Sequence, residues 1–375
     1  MSRPGRRSSW KRRVRKLRLT LAGLGLAALA VLAWQGVGRY QERRAIEAEI
    51  AAREALEEVA NAETEVVDES AEQAPDGSGS GLPDLSERTV IWHGETWRRS
   101  GNVRAILCMG VDRSDELTEY RSLAADGKAG QADGIFLMAW DSARGQARLL
   151  MIPRDTMTEI TALNKDGSLR GKEVDHLLLA YTYGDGREMS CENMSESVSH
   201  LLLGLPVQNY LAADLAVVAT LNDAVGGVTV TVPTEGMEAA DPAFVQGTTI
   251  TLHGSQAERF VRYRDITKDN TALYRMDQHK QYIQGYFTAL REQSKHNSNL
   301  VPDLFEMIQD YMITDMSKDE YLKTAADVLA GEGIPADGYY TLPGIGMATA
   351  TYDEYYPNQQ QAVPVLLELF FYKVP

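Results

Sequence analysis

The chain has 375 residues, 44% of them hydrophobic, and 38 Lys or Arg against 53 Asp or Glu, for a formal net charge of −15. That length and apolar content can bury a real core, which excludes a chain disordered throughout and suits one sizeable domain with accessory segments. The charge excludes broad nucleic-acid binding: an acidic body gains nothing from counterion release along a phosphate backbone, although a local arginine cluster would still hold one phosphate group.

Residues 1–18 carry nine Lys or Arg and no Asp or Glu. Residues 19–38 are uncharged and mostly apolar; as a helix they rise about 30 Å, the hydrocarbon thickness of a bilayer. The basic block predicts a cytoplasmic amino-terminal tail and a single-pass signal anchor in the cell membrane, with everything after Gly38 outside the cell and Trp34 at the outer interface. The Trp34-Gln35 ending fits an uncleaved anchor better than the small-residue cleavage site of a signal peptide. Residues 39–61 have the composition of a solvated helical stalk. Residues 62–83, acidic and rich in Gly and Ser, read as a flexible linker. The stalk and linker together span 39–85, and the folded extracellular domain spans 86–375.

Within that domain, residues 103–109, 135–140 and 147–152 read as apolar strands, with polar residues 141–145 turning a hairpin between the last two. The third strand runs into Pro153, which cannot donate a ladder hydrogen bond. Arg154, Asp155 and Thr156 therefore sit at its mouth, where the guanidinium either grips an anion or ties the loop down through Asp155. Residues 193–203 look helical, with Gly204 and Pro206 as stop signals. Residues 210–218 read as a strand leading into a helix, and 226–232 as a Gly-Gly turn followed by alternating β-branched residues. In residues 260–265, FVRYRD, Arg262 and Arg264 alternate; on a strand they share a face and repel unless an anion lies between them. Residues 276–290, 303–312 and 318–329 are mainly helical, and 363–372 return to cover the sheet. The fold class is α/β, a central mixed β-sheet covered by helices.

Asp112 follows the strand ending at Met109-Gly110, and Asp133 precedes the one beginning at Ile135. If those ends adjoin, the two carboxylates make an oxygen site for a hard cation such as Mg²⁺. His176 reads as a hydrogen-bonded structural residue in a packed loop before a helix. Cys108 and Cys191 have no CxxC spacing; one disulfide and two free thiols both remain open, with free thiols and a buried Cys108 favoured. GxSxG, HExxH, P-loop and EF-hand patterns are absent from the sequence.

In order and spacing, Gly110-Val111-Asp112, Ala132-Asp133-Gly134, Ile152-Pro153-Arg154-Asp155-Thr156, Asp175-His176, Ala180-Tyr181, Tyr183-Gly184, LNDAVGGVTVTV at 221–232 and FVRYRD resemble the extracellular domain of the LytR-CpsA-Psr family. The match covers a motif core of 104–290, followed by a helical carboxy-terminal part, 291–375. The resemblance implies a phosphotransferase that moves a glycopolymer, such as teichoic acid or capsule, from an undecaprenyl-pyrophosphate carrier onto peptidoglycan. It implies that Asp112 and Asp133 hold Mg²⁺ or another divalent cation on the pyrophosphate, that Arg154, Arg262, Arg264 and Arg275 hold its oxygens, and that the lipid tail lies in an apolar tunnel between sheet and helices. Asp112, Asp133 and Arg154 are the expected catalytic groups, with Asp112 a candidate base. Asp133, Arg154 and Arg262 are each expected to face a solvent-accessible anion site, so that truncation changes stability only modestly.

The family's usual Arg-Ser-Asp-Thr reads Gln131-Ala132-Asp133-Gly134 here. The arginine expected two places after Asp112 is Ser114, and the usual Arg-Gln after Arg275 reads Gln278-His279. The loss of positive groups keeps open a catalytically weak polyprenyl-phosphate-binding scaffold of the envelope.

Overall fold

Long alternating stretches meet at their apolar faces to make the central sheet. The computed structural model describes residues 81–112, 129–164, 168–265, 268, 271–349 and 352–375. The basic tail, the expected span, the stalk and nearly all of the linker, with Arg113, Ser114 and the insertion after them, lie outside the described residues. Among the described residues no helix is long and apolar enough to cross a membrane.

The described residues begin with β1 (Thr89–Trp92) and β2 (Glu95–Arg99), then the long strands β3 (Val103–Asp112) and β4 (Gln131–Asp141), then β5 (Gln146–Met151). A hairpin follows, β6 (Met157–Leu163) with β7 (Leu169–His176), and then helices α1 (Leu178–Thr182) and α2 (Glu188–Leu201). Strand β8 (Asn209–Asp214) leads through a short 3-10 turn into α3 (Val218–Ala224). Next come β9 (Val228–Thr231), β10 (Thr249–Leu252), α4 (Ser255–Arg262) and the long α5 (Thr271–Ser294). The chain ends with α6 (Leu300–Ile308), β11 (Met312–Thr314), α7 (Lys318–Ala330), β12 (Tyr339–Thr341), the hairpin β13 (Gly344–Ala348) and β14 (Asp353–Pro357), α8 (Gln359–Phe370) and β15 (Phe371–Lys373).

Among the described residues the central sheet runs β11-β8-β3-β4-β5-β12. The β8/β3 and β5/β12 pairs are parallel and the rest antiparallel, so the sheet is mixed as expected. Its two faces follow from the period of two along β3 and β4. Leu107, Met109, Ile135 and Leu137 face α1, α2 and α8, meeting Tyr181, Met194, Val198, Val363 and Leu366 in a fully buried layer. Ile106, Cys108 and Trp140 face the other way, towards Phe287 of α5 and Tyr321 and Val328 of α7. On this second face Phe136, Met138, Leu211, Phe287 and Tyr321 are only half-buried. A further core under β9 and β10 joins Val228, Val230 and Leu252 to Phe260, Val261, Tyr282 and Leu304. Helix α5 crosses β9 at Gly285, where a Cβ would stand 2.2 Å from the Thr229 carbonyl oxygen, so only glycine permits that approach.

Two sequence readings change. His176, expected in a loop before a helix, instead ends a strand, residues 169–176, that pairs with β6. Residues 255–262 form a helix: Ala257, Phe260 and Val261 are buried at i, i+3 and i+4, and that spacing outweighs the short alternation of FVRYR. Cys108 and Cys191 are free and buried, and burial pushes the Cys108 thiol up to about 12.

Candidate active site

β3 and β4 pair regularly from Val103↔Asp141 to Gly110↔Gly134, after which Val111 pairs with Ala132 and Asp112 with Gln131. Asp133 is the extra residue of a bulge, a device that re-aims a side chain out of the strand's alternation. Both carboxylates thus belong to the strands, where the sequence placed them beyond the ends; backbone pairing continues past the apolar run because it does not depend on apolar side chains. They lie on neighbouring strands, with Asp112 paired to Gln131, two residues before Asp133.

Asp133 lies between two guanidinium groups: Arg154 Nη1 donates to its Oδ1, and Arg275 Nη1 to its Oδ2 at 3.1 Å. Arg154 sits in the turn after β5, and its Nε donates to Asp155 Oδ1 at 3.2 Å, so Arg154 both ties down its loop and enters the cluster. Arg262, the last residue of α4, donates from Nη1 to Asp112 Oδ1 at 2.7 Å, with Glu258 Oε1 3.1 Å from its Nε. Arg264 follows the helix and turns elsewhere. Its Nε donates to Thr271 Oγ1 at 2.5 Å, and its Nη2 lies 3.7 Å from Asp353 Oδ2. The expectation that Arg262 and Arg264 share one strand face is therefore corrected, although Arg264 remains in the charged surroundings of Asp155 and Arg275.

Burial divides the site. The side chains of Arg275, Asp133 and Arg154 are 7%, 10% and 13% exposed, whereas those of Arg262 and Asp112 are 31% and 40% exposed. Of Asp133, Arg154 and Arg262, only Arg262 has the expected solvent-accessible setting; the other two, with Arg275, are part of the interior. Burial pulls the Arg275 pKa below the usual arginine value, and the Asp133 carboxylate opposes that shift. Burial likewise raises the Asp155 carboxyl, against the nearby charges of Arg154, His176, Arg264 and Arg275; its Oδ2 is buried without a hydrogen bond. His176 is held by Asp175 at 2.9 Å and by the Asp353 carbonyl at 3.0 Å, the structural role expected of it, and the Asp175 bond raises its pKa.

Gln131 lies exposed at the start of β4, opposite Asp112. Gln278 and His279 point at backbone carbonyls of residues 260–263. Sequence reasoning missed Asp353 and Thr271, which hold Arg264: Asp353 comes 78 residues after Arg275 in a Tyr-rich stretch without a motif. Nothing but the long-range fold brings it here.

The donor set suits a hard cation, since Mg²⁺ commonly takes one or two carboxylates and completes its shell with phosphate oxygens and water. Asp112 and Asp133 are two such groups, and among the described residues no cluster of three or more His, Cys, Asp or Glu could hold a metal. An arginine carries five N–H donors, so Arg154 and Arg275 can hold Asp133 and still offer donors to an anion. The arrangement can bind a multiply charged phosphate and stabilise charge that develops on it.

The chain is 24% identical over 247 residues to the polyisoprenyl-teichoic acid-peptidoglycan teichoic acid transferase TagU of Bacillus licheniformis, covering 63% of this chain and 71% of that protein. It is 28% identical over 232 residues to the protein of the same name from Oceanobacillus iheyensis, covering 60% of this chain and 62% of that one. The crystal structure of B. subtilis TagV superimposes with a TM-score of 0.53 at 19% identity, covering 72% of this chain and 96% of that one, a likeness of fold. The LytR_cpsA_psr family model matches residues 62–366, and the chain belongs to that family.

Proposed function

We propose that the protein is a phosphotransferase that attaches a polyprenyl-pyrophosphate-linked glycopolymer to peptidoglycan. The observation that carries the reading is the Asp133 carboxylate held between Arg154 and Arg275, with the Asp112–Arg262 pair beside it at the same end of the sheet. Arg154, Arg262 and Arg275 bind the pyrophosphate oxygens, and Arg264 joins them only by turning away from Thr271 and Asp353. An acceptor hydroxyl oxygen attacks the glycan-linked phosphorus; that P–O bond forms as the bridging P–O bond breaks, and polyprenyl monophosphate leaves with the negative charge. Asp112, the more exposed carboxylate, takes the hydroxyl proton. Mg²⁺ held by Asp112 and Asp133 would supply further positive charge to the departing phosphate. The half-buried apolar side chains between the sheet and helices α5 and α7 support a seat there for the isoprenoid tail. The basic residues 1–18 and the apolar residues 19–38 support a membrane anchor that keeps the domain outside the cell.

The test is transfer of glycan phosphate from a polyprenyl-pyrophosphate donor to a peptidoglycan oligomer, with and without Mg²⁺. Transfer that requires Asp133 and Arg154 is the expected result. A wild type that binds donor tightly and transfers nothing to any acceptor would make the protein an envelope scaffold.

A further inference from the structure

We propose that Gln278 and His279 are positioning residues that set the place of Arg262, and with it the Arg262–Asp112 pair, relative to Asp133 and Arg275. The kinetic part of this inference rests on the phosphotransferase reading; the structural part does not. Helix α4 ends at Arg262, and the last carbonyls of a helix have no partner within it. The Gln278 side chain, 1% exposed, ends 3.1 Å from the carbonyls of both Phe260 and Tyr263, which only the nitrogen of its amide can serve. His279, 9% exposed, lies with Nε2 at 3.0 Å from the Val261 carbonyl. Two consecutive residues of α5 thus satisfy three carbonyls on either side of Arg262, from the helix that also carries Arg275.

His279 also touches the bulge. A Cβ on Gly134 would stand 3.3 Å from both the Nδ1 and Cε1 atoms of the imidazole, so the ring rests on the residue that follows Asp133. Serving a carbonyl places the ring hydrogen on Nε2, and burial together with the Arg275 charge keeps the imidazole neutral, with a pKa of about 4. One side chain therefore spans from the strand that carries Asp133 to the helix turn that ends in Arg262. Gln278 and His279 stand where the family resemblance leads one to expect Arg-Gln, and here they supply geometry in place of charge. Their donors are spent on backbone, not on phosphate. A displacement of about 1 Å in a group that stabilises a transition state can cost about 100-fold in rate.

The experiment uses the full chain in detergent. Gln278→Met keeps the volume and removes the donor, His279→Leu removes the ring, and His279→Gln restores a donor. In the transfer assay, His279→Leu is expected to lower kcat by roughly 10- to 100-fold with KM within about threefold. In an Arg262→Ala background the same substitution should cost less than about threefold, because the residue it acts through is already gone. His279→Gln should recover most of the loss. Equal losses in both backgrounds would overturn the positioning role. Amide hydrogen exchange gives a reading independent of turnover: Gln278→Met should speed exchange across residues 258–263 by about tenfold or more and leave β3 and β4 protected. Unchanged exchange there would also overturn the inference. A wild type without transfer activity would defeat the phosphotransferase reading, and exchange would then decide the clasp alone.

Discussion

Asp133→Ala separates a buried charge cluster from an open anion site. The substitution leaves Arg154 its bond to Asp155, but removes the hydrogen-bonded carboxylate of Arg275, whose side chain is 7% exposed. Stripping one partner from a buried ion pair costs about 3–5 kcal/mol, and the shared character of this cluster places the effect near the lower end, about 3 kcal/mol. Against a domain stability of about 5–15 kcal/mol that is a large fraction. At roughly 2–4 °C per kcal/mol it lowers Tm by about 6–12 °C. The assay is thermal unfolding in metal-free buffer, with and without inorganic pyrophosphate. The anion replaces the missing negative charge, so the variant should bind it more tightly than the wild type and show the larger upward shift; saturation at about 100 times Kd adds roughly 2.7 kcal/mol. A variant that melts within about 1 °C of the wild type, or gains no more from pyrophosphate, would refute the reasoning.

Arg262→Ala should behave differently, because it and Asp112 are 31% and 40% exposed: a stability change of about 1 kcal/mol or less by chemical denaturation, with transfer reduced about 100- to 1000-fold. His279 predicts acid sensitivity. Its folded pKa of about 4 lies below the unfolded value of 6.5, so its contribution is complete above pH 6.5 and is lost as pH falls towards 4. The loss is on the order of 3 kcal/mol, and urea titrations at pH 7 and 4.5 should show a smaller pH dependence in His279→Gln than in the wild type. For topology, external protease added to wall-free cells should release a fragment that begins within residues 62–83, and full protection of the domain would contradict the anchor.

Much of the fold was legible because its strands are long and apolar: β3, β4 and β5 stand where their runs of Val, Ile, Leu and Met put them. The helical period of α4 is not visible in the six residues FVRYRD, which also allow a period of two, because the buried Ala257 that reveals it lies just upstream. Of the site, Asp112, Asp133 and Arg154 could be named from their positions at strand ends, and Arg275 from the family resemblance. The burial of Asp133, Arg154 and Arg275 could not, because it depends on α5 lying over the bulge. Asp353 and Thr271 are polar residues in unremarkable local sequence and acquire a role only through the long-range contact that holds Arg264.

The contrast between the two halves of the site bears on how its variants should be read. Asp133 and Asp155 together offset the charges of Arg154 and Arg275 in the interior, so a substitution there disturbs the fold, and loss of activity at Asp133, Arg154 or Arg275 mixes misfolding with chemistry. Asp112 and Arg262 meet in a half-exposed pair that the fold can lose cheaply. A substrate phosphate can compete for Arg262 without opening the core, while reaching Arg154 or Arg275 requires it to share a guanidinium already committed to Asp133. On the proposed phosphotransferase reading, the anion would meet the more exposed Arg262 first, then the donors that the buried pair still has to give. An activity loss at Arg262 in a variant of unchanged stability therefore reports on the anion contact itself, and a loss at Asp133 does so only after its stability deficit has been offset by bound pyrophosphate.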